Sequence, residues 1–283
     1  MKKKFPKTLI TGANGMVGSY VDFGIKTDRQ TLDVTNLESV MSVVKKHNPK
    51  VILHLAAMTD LDLLEKNPSL AYFVNSVGTY NIALAARSIG AKVVFPSSTG
   101  VFDGTKKSPY TENDVPNPQN HYGHSKYIGE QIIRSMLDNY IIARSCWMFG
   151  GGPKNDKKFV AKIIAQLTRN EVTEIKALDD VKGSPTFGKD LVAAYKALIE
   201  KDARGIFHLT NKGVCTRFDV AKVIVETLKP SLKIRAVDST YFNLPAVRVK
   251  NEASSSQVQL LRPWKDALKE YLEVEWSHLK LKK

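Results

Sequence analysis

Short apolar runs bounded by turn residues alternate with stretches of helical spacing through the first half of the chain. Lys7-Thr8-Leu9-Ile10, Ile25 to Arg29, Val51 to Ala57 and Lys92 to Phe95 read as strands. Between them the apolar positions of Leu37 to His47 and Ala71 to Ile89 recur at helical period, with Thr35 or Asn36 placed to cap the first and Gly90 the second. Strand and helix in alternation predict an α/β fold with a parallel, doubly wound sheet. Further on, Phe159 to Leu167, Asp190 to Leu198, Phe218 to Leu228 and Trp264 to Leu272 carry amphipathic helical patterns, and Lys154 to Lys158 reads as a mobile loop.

In such sheets ligands gather beyond the carboxyl ends of the strands, and the residues there suit a dinucleotide. The first strand runs into Thr11-Gly12-Ala13-Asn14-Gly15-Met16-Val17-Gly18, a glycine-rich turn that lets backbone N–H groups approach a pyrophosphate at the start of a short helix. That helix has only Ser19 to Gly24 in which to form. Asp28 therefore falls sooner than the usual twenty or so residues after the glycines. Asp28 suits an adenosine ribose and Arg29 a ribose 2′-phosphate, which leaves NADH and NADPH both open. Asp33 and Val34 are placed for the adenine, and Leu55 followed by the small residues Ala56 and Ala57 lets a dinucleotide lie on the third strand's end. His54 reads as a core histidine.

Ser98 and Thr99 follow the fourth strand, and Tyr122 and Lys126 then stand one helical turn apart in Tyr122-Gly123-His124-Ser125-Lys126. An ammonium beside a phenol favours phenolate and would lower the Tyr122 pKa toward working pH, making it a proton donor to a carbonyl that receives hydride. The plain alternative for the pair is an exposed helical contact.

The net charge of +14 on 283 residues widens the choice of partners to nucleic acid, an anionic surface or a phosphate-rich ligand. Its lysines are scattered without aromatic interleaving, so nucleic-acid binding ranks last. Hydrophobic content of 43% and charged content of 25% are ordinary for a globular protein. Cys146 and Cys215 form no metal or redox motif, which fits a reducing cytoplasm. Met1 to Lys4 mimics the start of a signal peptide, but the apolar run after it is too short. No membrane span and no metal site are expected.

Taken in order, these features resemble an extended short-chain dehydrogenase/reductase. Val101-Phe102-Asp103-Gly104, Pro109-Tyr110-Thr111-Glu112, Tyr122 to Lys126 with Gly129-Glu130, and Arg144 to Gly150 narrow the likeness to the dTDP-4-dehydrorhamnose reductases. So do Gly183-Ser184-Pro185-Thr186, Gly205 to Thr210 and Leu261-Arg262-Pro263-Trp264. The resemblance implies a Rossmann-type core with a small C-terminal substrate-binding domain. Residues 1–150, rejoined by about 187–210, would bind the dinucleotide, and 151–186 with 211–283 the substrate. It also implies NADPH or NADH reducing the 4-ketone of a dTDP-linked 6-deoxysugar in a polysaccharide pathway, with a homodimer as one expected state. Carried over, Ser98, Tyr122 and Lys126 are catalytic, Lys126 also holds the nicotinamide ribose, and Thr99, Trp147, Ser184 and Arg248 face the substrate.

The chain departs from that pattern in two places. Ser98-Thr99-Gly100 replaces Thr-Asp-Tyr, removing a carboxylate and an aromatic from the substrate wall. Arg248-Val249-Lys250-Asn251-Glu252 replaces Arg-Pro followed by Asn-Ser, adding a charge. An epimerase or dehydratase of nucleotide sugars is the nearest competing function, although Thr99 supplies no acid beside the serine. A cofactor-binding regulatory subunit is the alternative from another class.

Overall fold

The computed structural model describes residues 5–279; the N-terminal lysines and the basic end at 280–283 lie outside them. The first half runs β1 (Thr8–Thr11), β2 (Ile25–Lys26), α1 (Leu37–His47), β3 (Val51–His54), α2 (Leu61–Lys66), α3 (Pro68–Ala71), α4 (Gly78–Ile89), β4 (Lys92–Ser98), α5 (His121–Met136) and β5 (Tyr140–Ser145). The second half runs β6 (Met148–Phe149), α6 (Gly152–Asn155), α7 (Phe159–Leu167), β7 (Glu174–Leu178), β8 (Lys182–Gly183), β9 (Thr186–Phe187), α8 (Gly188–Glu200), β10 (Gly205–His208), β11 (Cys215–Thr216), α9 (Arg217–Leu228), β12 (Lys233–Val237) and α10 (Trp264–Glu275).

Six strands form one parallel sheet in the order β10-β5-β4-β3-β1-β2. Its strands are apolar on both faces, as a sheet covered on both sides requires. Leu9, Ile52, Val93, Phe95 and Ile142 pack with residues of α1, α4 and α5. Ile10, Leu53, Val94 and Ile141 pack instead with Leu191, Tyr195 and Leu198 of α8. The C-terminal lobe has its own core, in which Ile163, Ile164 and Leu167 of α7 meet Ala221 and Ile224 of α9 and Trp264, Leu268 and Tyr271 of α10.

Three expectations change. The glycine turn does not open an α-helix. A single 3-10 turn, Gly18–Tyr20, precedes extended backbone at Val21. Six residues cannot both wind a helix and return to the sheet edge, and Tyr20 is pinned by donating to Glu275 Oε1 at 2.6 Å and accepting from Gly151 N at 2.5 Å. Second, the helix expected from Ala71 begins at Pro68, and Tyr72–Val77 is wound as a π-helix before α4. Third, the lysine-rich stretch after Pro153 is held down. Asp156 is buried and accepts from Tyr271 Oη at 2.9 Å, while Lys158 Nζ donates to the Thr59 carbonyl and hydroxyl at 2.7 and 2.8 Å.

Candidate active site

The site is assembled at the carboxyl end of β4. Ser98 is the last residue of that strand, and its Oγ accepts from Gly100 N at 3.0 Å, starting a 3-10 turn over Thr99–Val101. Helix α5 starts against this turn because Asn120 caps it, accepting from Gly123 N at 2.8 Å. A Cβ on Gly123 would lie 2.1 Å from the Gly100 carbonyl oxygen, so only glycine permits the approach. That approach sets the Tyr122 ring beside Ser98, the ring carbons and the Ser98 hydroxyl lying 3.9 and 3.3 Å from where a Gly100 Cβ would stand.

Lys126 lies one turn further along α5, buried, with Nζ 4.1 Å from the centre of the Phe95 ring. It makes no hydrogen bond among the described residues. Burial drops its pKa to about 7, opposed by the charge of Glu130. Tyr122 does not show the acidity expected of it. Burial pushes its hydroxyl up to about 12, the neighbouring Ser98 hydroxyl acts the other way, and the charge of Glu252 raises it further. The ammonium faces the Phe95 ring and loses charge itself, so it does not supply the predicted lowering.

Behind this row, Glu130 accepts from Arg144 Nε at 2.9 Å and Nη2 at 2.7 Å and from Ser97 Oγ at 2.5 Å, all buried. Asn75, in the π-turn, exchanges hydrogen bonds with the Met58 backbone at 2.8 and 3.0 Å and donates to Ser125 Oγ at 3.0 Å. It joins the loop after β3 to the helix that carries Tyr122. His54 is buried between Thr11 and Thr79, and burial holds its pKa near about 3, so it is a neutral core residue.

Apart from Tyr122 and Lys126, the residues read as dinucleotide-binding follow the carboxyl ends of β1, β2 and β3, neighbours at one edge of the parallel sheet. Gly12 has φ +64°, and a Cβ there would meet the Ala56 backbone at 2.7 Å, so the turn lies directly on the end of β3. Asn14, Gly15, Met16 and Val17 are accessible on the turn, whereas Gly18 is buried against Ala13. Asp28 is engaged locally, accepting from Asn14 Nδ2 and from the Gln30 and Thr31 amides. Arg29 is exposed, Asp33 accepts from Thr35, and Val34 is buried with its carbonyl on Asn81. Leu55, Ala56 and Ala57 remain half-buried at the strand end. A glycine turn seated on the end of β3, and a buried ammonium that makes no hydrogen bond among the described residues, fit a nicotinamide dinucleotide.

The expected substrate side is rearranged. Thr99 and Ser184 are fully buried. The Thr99 hydroxyl is buried without a hydrogen-bond partner among the described residues, and Ser184 exchanges hydrogen bonds with the Ser254 backbone at 3.3 Å, so neither side chain is open to a sugar. The Arg248 guanidinium donates to both carboxylate oxygens of Asp62 at 3.0 Å and to its own Ala246 carbonyl at 2.8 Å. Trp147 stays half-buried at φ 40°, strained for a bulky residue. Its indole packs on Gly183, lies 3.8 Å beneath the Arg217 guanidinium and donates to Glu252 Oε2 at 3.1 Å. Among the described residues no group of side chains could hold a metal ion, and no helix is long and apolar enough to cross a membrane.

A family model described as the RmlD substrate binding domain matches residues 6–276. The chain belongs to that family. Its RmlD-type relatives include the spore coat polysaccharide biosynthesis protein SpsK of Bacillus subtilis, 30% identical and aligned over 94% of this chain and 97% of that protein. A dTDP-4-dehydrorhamnose reductase of Clostridium acetobutylicum superposes with a TM-score of 0.89 at 34% identity, covering 95% of this chain and 99% of that one. The reductase of Bacillus anthracis in complex with NADP gives 0.88 at 32%, with the same coverages.

Nothing in the sequence alone marks Glu130, Arg217 or the contacts of Glu252 as belonging to the site. Asn75 had a signal, a polar residue inside an apolar helical pattern. Arg217 had none, because only the fold carries the start of α9 to Trp147.

Proposed function

We propose that the chain is an NAD(P)H-dependent reductase of the 4-keto group of a dTDP-linked 6-deoxysugar, converting dTDP-4-dehydro-L-rhamnose to dTDP-L-rhamnose or a close analogue. One observation carries the reading. The Ser98 hydroxyl and the Tyr122 ring sit side by side at the end of β4, one helical turn from a buried ammonium and at the same edge of the parallel sheet as the glycine turn. The family, and the reductases to which the chain is similar along nearly its whole length, support the substrate class.

Ser98 donates a hydrogen bond to the ketone oxygen and holds the carbonyl toward Tyr122. Reduced nicotinamide, when bound, supplies the hydride to C4. Tyr122 gives its proton to the oxygen as charge develops there, and a phenol titrating near about 12 is fully protonated for that task at neutral pH. Lys126 would hold the ribose hydroxyls of the dinucleotide. Buried free cysteines at 146 and 215 support a reducing compartment, and we place the enzyme in the cytoplasm.

Mixing the protein with dTDP-4-keto-6-deoxy-L-mannose and NADPH or NADH tests the proposal by loss of the reduced cofactor's absorbance. Oxidation with neither cofactor rejects it.

A further inference from the structure

Glu252 supplies a carboxylate to a substrate wall that has none at position 99. Its backbone N donates to the Lys182 carbonyl at 2.8 Å, the adjacent Asn251 bridges Lys182, and Tyr110 N donates to the Ala253 carbonyl at 2.8 Å. The segment is thus stitched to β8 on one side and to the Tyr110 loop on the other. The side chain is aimed as firmly as the backbone. Oε2 accepts from the Trp147 indole at 3.1 Å and faces the Cys146 thiol at 3.8 Å. Oε1 accepts no hydrogen bond among the described residues.

Arg217 lies over the same indole and makes neither a hydrogen bond nor an ion pair among those residues. Its charge favours an ionised Glu252, against a burial that disfavours it. A half-buried carboxylate held at one oxygen, with the other open and the charge felt at Tyr122, is built to accept from a ligand.

We propose that Glu252 is the specificity-determining residue of the sugar subsite. Through Oε1 it accepts a hydrogen bond from the hydroxyl next to the ketone, with Trp147 and Arg217 as the residues that position it. This rests on the ketoreductase reading. It explains how the chain recognises a polyol without a carboxylate after Ser98, and it gives Trp147 a use other than stacking on the sugar.

The test compares kcat/KM for dTDP-4-keto-6-deoxy-L-mannose and its 3-deoxy counterpart in the wild type, Glu252→Gln and Glu252→Ser, with NADPH affinity measured alongside. A charged acceptor left unpaired should make the wild type prefer the hydroxylated sugar by about 10- to 100-fold. Glu252→Ser should cut that ratio to within about threefold, the loss falling mainly on KM, with NADPH affinity unchanged. Glu252→Gln, which keeps the shape, should fall between. An unchanged ratio in both variants overturns the proposal.

If the wild type reduces neither sugar, the ketoreductase reading fails on its own, and Trp fluorescence titration with dTDP and dTDP-L-rhamnose decides the role of Glu252. A sugar contribution to affinity lost in Glu252→Ser upholds it. Equal affinities in wild type and variant refute it.

Discussion

At the scale of single residues the site depends on groups whose charge state is set by burial. Replacing Tyr122 by Phe removes the hydroxyl that the proposed mechanism uses as proton donor while leaving the ring. We expect kcat to fall by about 10²- to 10⁴-fold, with NADPH binding retained in a fluorescence titration. Lys126 titrates at about 7, so its positive charge is present below that pH and lost above it. The rate of reduction should therefore decline as pH rises through about 7, and a pH profile of Lys126→Met should lack this limb. Glu130 carries a different burden. Removing it leaves the Arg144 guanidinium buried and unpaired, so Glu130→Ala should cost about 3–5 kcal/mol in urea unfolding.

At the scale of elements, what matters is how close α5 comes to the end of β4. The Gly123 contact sets the distance at the first turn, and at Gly129 a Cβ would stand 2.6 Å from the Phe95 ring. Gly123→Ala would drive its new methyl into the Gly100 backbone, prising Tyr122 from Ser98. The prediction is a loss of kcat at least tenfold with a circular dichroism spectrum close to wild type. The glycines and the Tyr/Lys spacing were legible in the sequence because they are local. Asn75 was visible only as a polar residue in a helix, since its partners lie in the Met58 loop and on α5. The first helix was expected to be short, but its reduction to one 3-10 turn depended on Glu275 and Gly151, more than a hundred residues away.

At the scale of the molecule, the two lobes are tied across the cleft. Arg248 clasps Asp62, Asn120 donates to the Val247 carbonyl at 3.1 Å, and Lys158 reaches the Thr59 loop. If Arg248 serves a diphosphate as the family resemblance implies, the ligand must first compete with Asp62. Asp62→Asn should then lower KM for the nucleotide sugar a few-fold. Its effect on stability should stay below about 1 kcal/mol, because both partners are partly exposed. An unchanged KM would mean that Arg248 is a structural tie.

Sequence alone determined the alternation of strand and helix, the glycine turn, and the placing of Ser98, Tyr122 and Lys126 beyond the sheet, because periodicity and turn chemistry act between near neighbours. Only the tertiary structure decided that Tyr122 is a phenol of raised pKa, that Thr99 and Ser184 face inward, and that Trp147, Arg217 and Glu252 share one wall. Burial and charge are sums over everything packed around a group, and those neighbours come from distant parts of the chain.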